Sequence, residues 1–169
     1  MLTYQVKSLI KDPGLSLSVH EVLEPEQLIL GGERIRFLTP VTIEGSLRHI
    51  GGWIIEFKGT LDGAVQMACS RCTKATHVPL HSDITQRYIA DRQENESGDD
   101  DVEVYQDEVI DLTDLINSEI CMAIPMKVLC RADCQGLCPV CGKDLNEGPC
   151  GCSQDDTDPR WDALKSLLQ

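Results

Sequence analysis

Through most of the front half of the chain, apolar and polar positions alternate with a period of two. LSLSV (15–19) and RIRFL (34–38) each read as a half-buried strand. From 41 to 89 the signal is clearer. Val41, Ile43 and Leu47 form one run, Trp53, Ile55, Phe57 and Leu61 the next, then Val65, Met67 and Cys69, then Val78, Leu80 and Ile84. Gly51-Gly52 and Asp62-Gly63 supply turn residues between runs, the second being a favoured hairpin dipeptide. The pattern predicts an antiparallel β meander or partial barrel, with VEVYQ (102–106) returning as one more strand.

The period then changes to that of a helix. Leu112, Leu115, Ile116, Ile120, Ala123 and Ile124 fall on one helical face, with Asp111 as N-cap, Asp114 in the first turn and Pro125 as the stop. This predicts an amphipathic helix covering the sheet. Asp158-Pro159 repeats the start signal ahead of Trp161, Leu164, Leu167 and Leu168, which predicts a short C-terminal helix.

Charge adds two things. The formal net charge of −13 is the reverse of a phosphate-neutralising surface, so it disfavours extensive nucleic-acid binding and suits a cationic partner. The acids concentrate at 91–111, with ten against a single arginine, and 91–101 is expected to be a solvated loop. The opening, MLTYQVKSLIKDPG, lacks a basic stretch followed by a long apolar one, and no apolar run of about 18 residues follows, so a cytoplasmic protein with no membrane contact is expected.

That placement decides how the nine cysteines are read, because cytosolic thiols are kept reduced and metal binding becomes the leading explanation. Six of them lie in CRADCQGLCPVCGKDLNEGPCGC (130–152). Cys138-Pro-Val-Cys141-Gly142 is the most specific motif, because a CxxC turn aims two thiolates at one point and the glycine tightens it. A zinc ion needs four ligands at about 2.3 Å, which sets the sulfurs roughly 3.8 Å apart, so a second pair must return to the first. Two pairs compete for that place, Cys130 with Cys134 at i, i+4 and Cys150 with Cys152 around Gly151, and a mixed set is a third arrangement. Cys69-Ser-Arg-Cys72 is a candidate second half-site or a redox pair; if it ligates, eight cysteines fill two sites. Cys121 reads as a packed, inert helix cysteine. His20, His49, His77 and His81 lack ligand spacing, and no nucleotide-binding loop, nucleophile elbow or metalloprotease helix occurs, so no enzyme and no small-molecule substrate are expected. All-thiolate coordination leaves no open position for water and makes the zinc structural.

The fold class expected is therefore α+β: the meander or partial barrel covered by the helix (1–125), then a cysteine-rich zinc knuckle and short helix (126–169). ACSRC at 68–72, the cluster at 130–152 and DPRWDALKSLL after it together resemble the YceD family, the large ribosomal RNA subunit accumulation proteins, over nearly the whole chain. The resemblance implies a non-enzymatic ribosome biogenesis factor of bacteria or plastids, needed for accumulation of large-subunit ribosomal RNA. The partner expected is a ribosomal protein or a large-subunit assembly intermediate. Two alternatives stand beside it: direct RNA contact through Arg71, Lys74, Lys127, Arg131, Lys143 and Arg160 near the cysteines, and thiol redox sensing by Cys69 and Cys72.

Overall fold

The computed structural model describes residues 2–12, 14–24, 27–30, 33–91 and 102–152. The expected C-terminal helix and nearly all of the acidic loop lie outside them. Eight strands run β1 (Thr3–Gln5), β2 (Ser16–Leu23), β3 (Gln27–Leu30), β4 (Glu33–Gly51), β5 (Ile54–Ala68), β6 (Ala75–Ala90), β7 (Val102–Tyr105) and β8 (Val109–Asp111). Two helices, α1 (Lys7–Lys11) and α2 (Thr113–Ala123), and a 3-10 turn at Leu145–Glu147 complete the elements among the described residues.

The main sheet has the order β2-β4-β5-β6-β7, with β3 also paired to β4, and it stays open. Every pairing in it is antiparallel except β6 with β7. The alternation seen in the sequence is the pleat itself. Val41, Ile43, Leu47, Ile55, Phe57, Leu61, Val65, Leu80 and Ile84 are all buried in one core. Leu112, Leu115, Ile116, Ile120 and Ile124 of the α2 region pack into the same core, as do Val6 and Leu9 at α1. The amphipathic helix thus covers the sheet, and the fold is α+β. Its start is held one position later than the capping pattern suggests: Leu112 takes the N-cap position, while the Asp111 carboxylate accepts from the Thr113 backbone N–H at 2.9 Å.

Asp62-Gly63 is not a turn. Both residues lie inside β5, opposite His81 and Leu80. Leu61 and Val65 keep the same face through Gly63, whose missing side chain lets the Val41 methyl approach; an added Cβ would sit 3.3 Å from it. Burial parity overrides turn propensity here. The same logic explains Gly45 and Gly59, which oppose one another directly between β4 and β5. A Cβ on either would come within 2.5 Å of the neighbouring strand's carbonyl oxygen and 2.9 Å of the Phe57 ring, which fills the space both leave. Gly51-Gly52 does form the β4–β5 turn, with both residues at positive φ.

The turn that ends β5 is Cys69–Lys74, the first CxxC motif. It is this reversal that points two thiols out of the end of the sheet towards the segment following α2. No helix among the described residues is long and apolar enough to cross a membrane.

Candidate metal centre

The first CxxC closes as a tight loop: the Thr73 N–H donates to the Cys69 carbonyl at 2.9 Å, and the Cys69 N–H to the Lys74 carbonyl at 2.9 Å. Residue for residue the second CxxC repeats this. Gly142 N–H donates to the Cys138 carbonyl at 2.9 Å, and Cys138 N–H to the Lys143 carbonyl at 2.8 Å. The fifth residue is left-handed in both, Thr73 at φ 58° and Gly142 at φ 74°. Glycine adopts that conformation without cost and a β-branched residue does not. The missing glycine is why the first motif looks weaker as a sequence than it is as a structure.

Eight cysteines fall into two groups of four. Cys69, Cys72, Cys130 and Cys134 form one, and Cys138, Cys141, Cys150 and Cys152 the other; within each, the four sulfurs lie within 4.8 Å of one another. Of the two pairs that compete for Cys138 and Cys141 in the sequence, Cys150 and Cys152 stand beside them, while Cys130 and Cys134 stand beside Cys69 and Cys72. A turn at 130–134, closed by the Cys134 N–H donating to the Arg131 carbonyl at 3.1 Å, juxtaposes the latter pair without a helix. Cys69 and Cys134 hold their sulfurs 3.8 Å apart, and Cys72 and Cys130 theirs 3.6 Å. Those are the edge lengths of a tetrahedron of thiolates about a zinc-sized ion, about 3.8 Å. Each group could hold one metal ion. Cys121 on α2 is half-buried and belongs to neither.

Electrostatics at the first group favour thiolate at Cys69 and Cys134 and oppose it at Cys72 and Cys130. The Cys72 backbone N–H, helped by those of Arg71 and Cys130, holds the Cys69 thiol down to about 6 against its burial. At Cys134 burial pushes up, but the Asn146 side chain and the Gly136 N–H outweigh it and the thiol lies below its usual range. Burial first, then the neighbouring Cys72 and Cys134, push Cys130 up to about 12. In the second group the N–H groups of Cys141 and Val140 hold Cys138 down to about 6, whereas the Cys141 side chain, then burial, push Cys152 up to about 12. A low thiol beside a high one is what four crowded sulfurs do when they cannot all ionise together.

Two residues that sequence reasoning does not single out in these roles bind the pieces together. Arg71, inside the first CxxC, donates from Nη1 to the Cys134 carbonyl at 2.6 Å, and its own carbonyl accepts from the Leu137 N–H at 3.2 Å. Gly136, at φ 77°, makes this approach possible; a Cβ there would sit 3.1 Å from the Arg71 oxygen. Asn146 lies on the loop between Cys141 and Cys150. It donates from Nδ2 to the Cys134 sulfur at 3.5 Å, while its Oδ1 accepts from the Gln135 N–H and Arg131 Nη2, both at 2.8 Å. The Asp144 side chain accepts from the Asn146 N–H and fixes that 3-10 turn. The only legible signal was the turn-forming stretch KDLNEGP, which gives no hint that its asparagine reaches the other cysteine group. Ser70 and Val128 add a reciprocal pair: the Ser70 N–H donates to the Val128 carbonyl at 2.7 Å, and the Val128 N–H to the Ser70 hydroxyl at 3.1 Å.

Comparison with known proteins places the chain in a family. The uncharacterized protein YlbN of Bacillus subtilis is 27% identical over 99% of this chain and 97% of its own length. The uncharacterized proteins Rv2926c of Mycobacterium tuberculosis and ML1660 of Mycobacterium leprae are also 27% identical over 99% of this chain, covering 81% and 77% of theirs. No solved structure matches. The model of the large ribosomal RNA subunit accumulation protein YceD matches residues 57–168, a stretch that contains both cysteine groups, and the chain belongs to the YceD family.

Proposed function

We propose that the protein is a non-enzymatic factor of ribosome biogenesis, working in the cytoplasm and needed for accumulation of large-subunit ribosomal RNA. The observation that carries this reading is the family match across residues 57–168. In this reading each cysteine group holds one structural zinc through four thiolates: Cys69, Cys72, Cys130 and Cys134 in one, Cys138, Cys141, Cys150 and Cys152 in the other. Four thiolates close a zinc's coordination, which leaves no position for substrate or water and supports a structural role. The β-rich part (1–125) and the cysteine-rich segment (126–169) then act as two parts clasped by the first zinc. With a net charge of −13, the factor acts by binding a basic ribosomal protein or an assembly intermediate that displays one.

The charge also argues against direct RNA contact. Of the basic residues near the cysteines, Arg71, Arg131 and Lys143 are already engaged, with the Cys134 carbonyl, with Asn146 and Asp133, and with the Pro149 carbonyl. Burial of Cys69 and Cys72, at 1% and 5% exposure, argues against redox sensing there. The test is depletion in cells, with large-subunit ribosomal RNA measured against small-subunit RNA. A fall restored by the intact chain supports the proposal, and an unchanged ratio overturns it. Ribosomal proteins co-purifying with the tagged factor should come away as salt rises.

A further inference from the structure

Away from the cysteines, a cleft of about 560 Å³ is lined by Ile10 of α1, Trp53 of the β4–β5 turn, Asp91 at the end of β6, Tyr105 of β7, and Asp107 and Glu108 of the β7–β8 turn. Among the described residues, three carboxylates and no lysine or arginine line it. Lys7 reaches Glu108 at 3.2 Å from outside the lining. Trp53 is 51% exposed, an unusual position for an indole that could pack elsewhere, and its backbone is left-handed at φ 62°. Asp107 and Glu108 are left-handed too, at φ 53° and 59°, in a turn where glycine or asparagine would sit without strain. Tyr105 is only 5% exposed, yet its hydroxyl has no hydrogen-bond partner. Glu108 is paired with Lys7, whereas Asp91, Asp107 and the buried Tyr105 hydroxyl have no donor among the described residues, and the open indole of Trp53 shares their cleft.

We propose that this cleft receives an arginine side chain from a basic segment of a partner protein. A guanidinium matches the lining on every count. Its five donors suit several carboxylate oxygens and the Tyr105 oxygen at once, and its flat face stacks on an indole. Lysine supplies a point charge and fewer donors, so arginine is preferred. A nucleic-acid phosphate is excluded from the same place by the three carboxylates. The inference rests on the proposed partnership with a basic protein and names the place where that partner is read.

The test uses the full-length, metal-replete chain and three peptides, hexa-arginine, hexa-lysine and hexa-glutamine, titrated by calorimetry. Hexa-arginine is expected to bind more tightly than hexa-lysine, and hexa-glutamine not to bind. The double variant Asp91→Asn/Asp107→Asn, and separately Trp53→Leu, should each weaken hexa-arginine about tenfold. Tyr105→Phe should weaken it about threefold while leaving thermal stability unchanged or higher, since the hydroxyl it removes satisfies nothing in the free protein. Glu44→Gln/Asp83→Asn removes the same charge elsewhere on the sheet and should change binding by less than about twofold.

Equal losses in both double variants would reduce the effect to general attraction and overturn the proposal. So would cleft variants that bind like the parent chain, self-association abolished by Trp53→Leu, or a large-subunit RNA fragment that displaces hexa-arginine from the cleft. The two readings separate cleanly. If ribosomal proteins still co-purify with cleft variants at full yield, the cleft inference falls and the partnership stands. If hexa-arginine binds through the cleft but no ribosomal protein co-purifies with the intact chain, the partnership falls and the cleft stands.

Discussion

Cys69 and Cys134, 65 positions apart in the chain, hold their sulfurs 3.8 Å apart at the point where the end of β5 meets the segment after α2. Long-range closure of this kind is entropically costly for a free chain, and the hydrogen bonds of Ser70, Arg71 and Asn146 offset part of that cost. In the proposed reading a shared metal ion makes it durable and gives the two cysteine groups different mechanical duties. The first ties the tail to the sheet, and the second only closes a loop within the tail.

Substitution should separate those duties. Cys69→Ser or Cys134→Ser is expected to lower Tm by about 10 °C or more, because it releases a cross-tie between distant parts of the chain. Cys141→Ser should cost one metal equivalent and leave the melting of the sheet nearly unmoved. Calorimetric melting with metal content measured on the same samples checks both.

Metal uptake should release protons in a fixed proportion. In the metal-free first group Cys69 lies at about 6, Cys134 is also lowered, and Cys72 and Cys130 are raised, Cys130 to about 12. At pH 7 Cys72 and Cys130 therefore still carry protons that a zinc ion must displace, and filling this site should release at least two protons. Affinity should rise with pH above 7, where release becomes easier, and fall below about 6 as Cys69 itself takes up a proton. Titration calorimetry in two buffers of different ionisation enthalpy reads the number directly.

Asn146 donates to the Cys134 sulfur and joins the two groups. Asn146→Ala should weaken metal binding at the first group about tenfold, the usual cost of removing a partner that orients a ligand. It should leave the second group's affinity unchanged, although Asn146 lies on the second group's own loop. Competition with a chromophoric chelator distinguishes the sites.

Thr73 occupies the left-handed position that Gly142 fills in the matching loop. Thr73→Gly should stabilise the protein by about 1 kcal/mol, despite the lost bond from its hydroxyl to the Cys72 carbonyl. Denaturant unfolding measures it.

Much of the fold was legible in the sequence, because burial writes a period of two into strands and a period near four into a covering helix. The runs from Val41 to Ile84 and the face from Leu112 to Ile124 are the core of the structure. Where local propensity and burial disagreed, as at Asp62-Gly63, burial parity prevailed. The cysteines were legible as pairs and not as sets of four. Spacing within CxxC is a local property, but whether Cys130 and Cys134 meet Cys138 or Cys69 depends on where β5 ends and where α2 delivers the chain. Arg71 and Asn146 were invisible in these roles for the same reason, since their partners lie 63 and 12 positions away.

Metal content of the native chain, isolated under reducing, anaerobic conditions, tests the central claim most directly. About two equivalents of zinc per chain are expected, falling to about one in Cys69→Ser/Cys72→Ser with the remaining ion on Cys138, Cys141, Cys150 and Cys152. A chain that carried less than about a tenth of an equivalent of any transition metal, yet kept residues 126–152 folded against the end of β5, would contradict it.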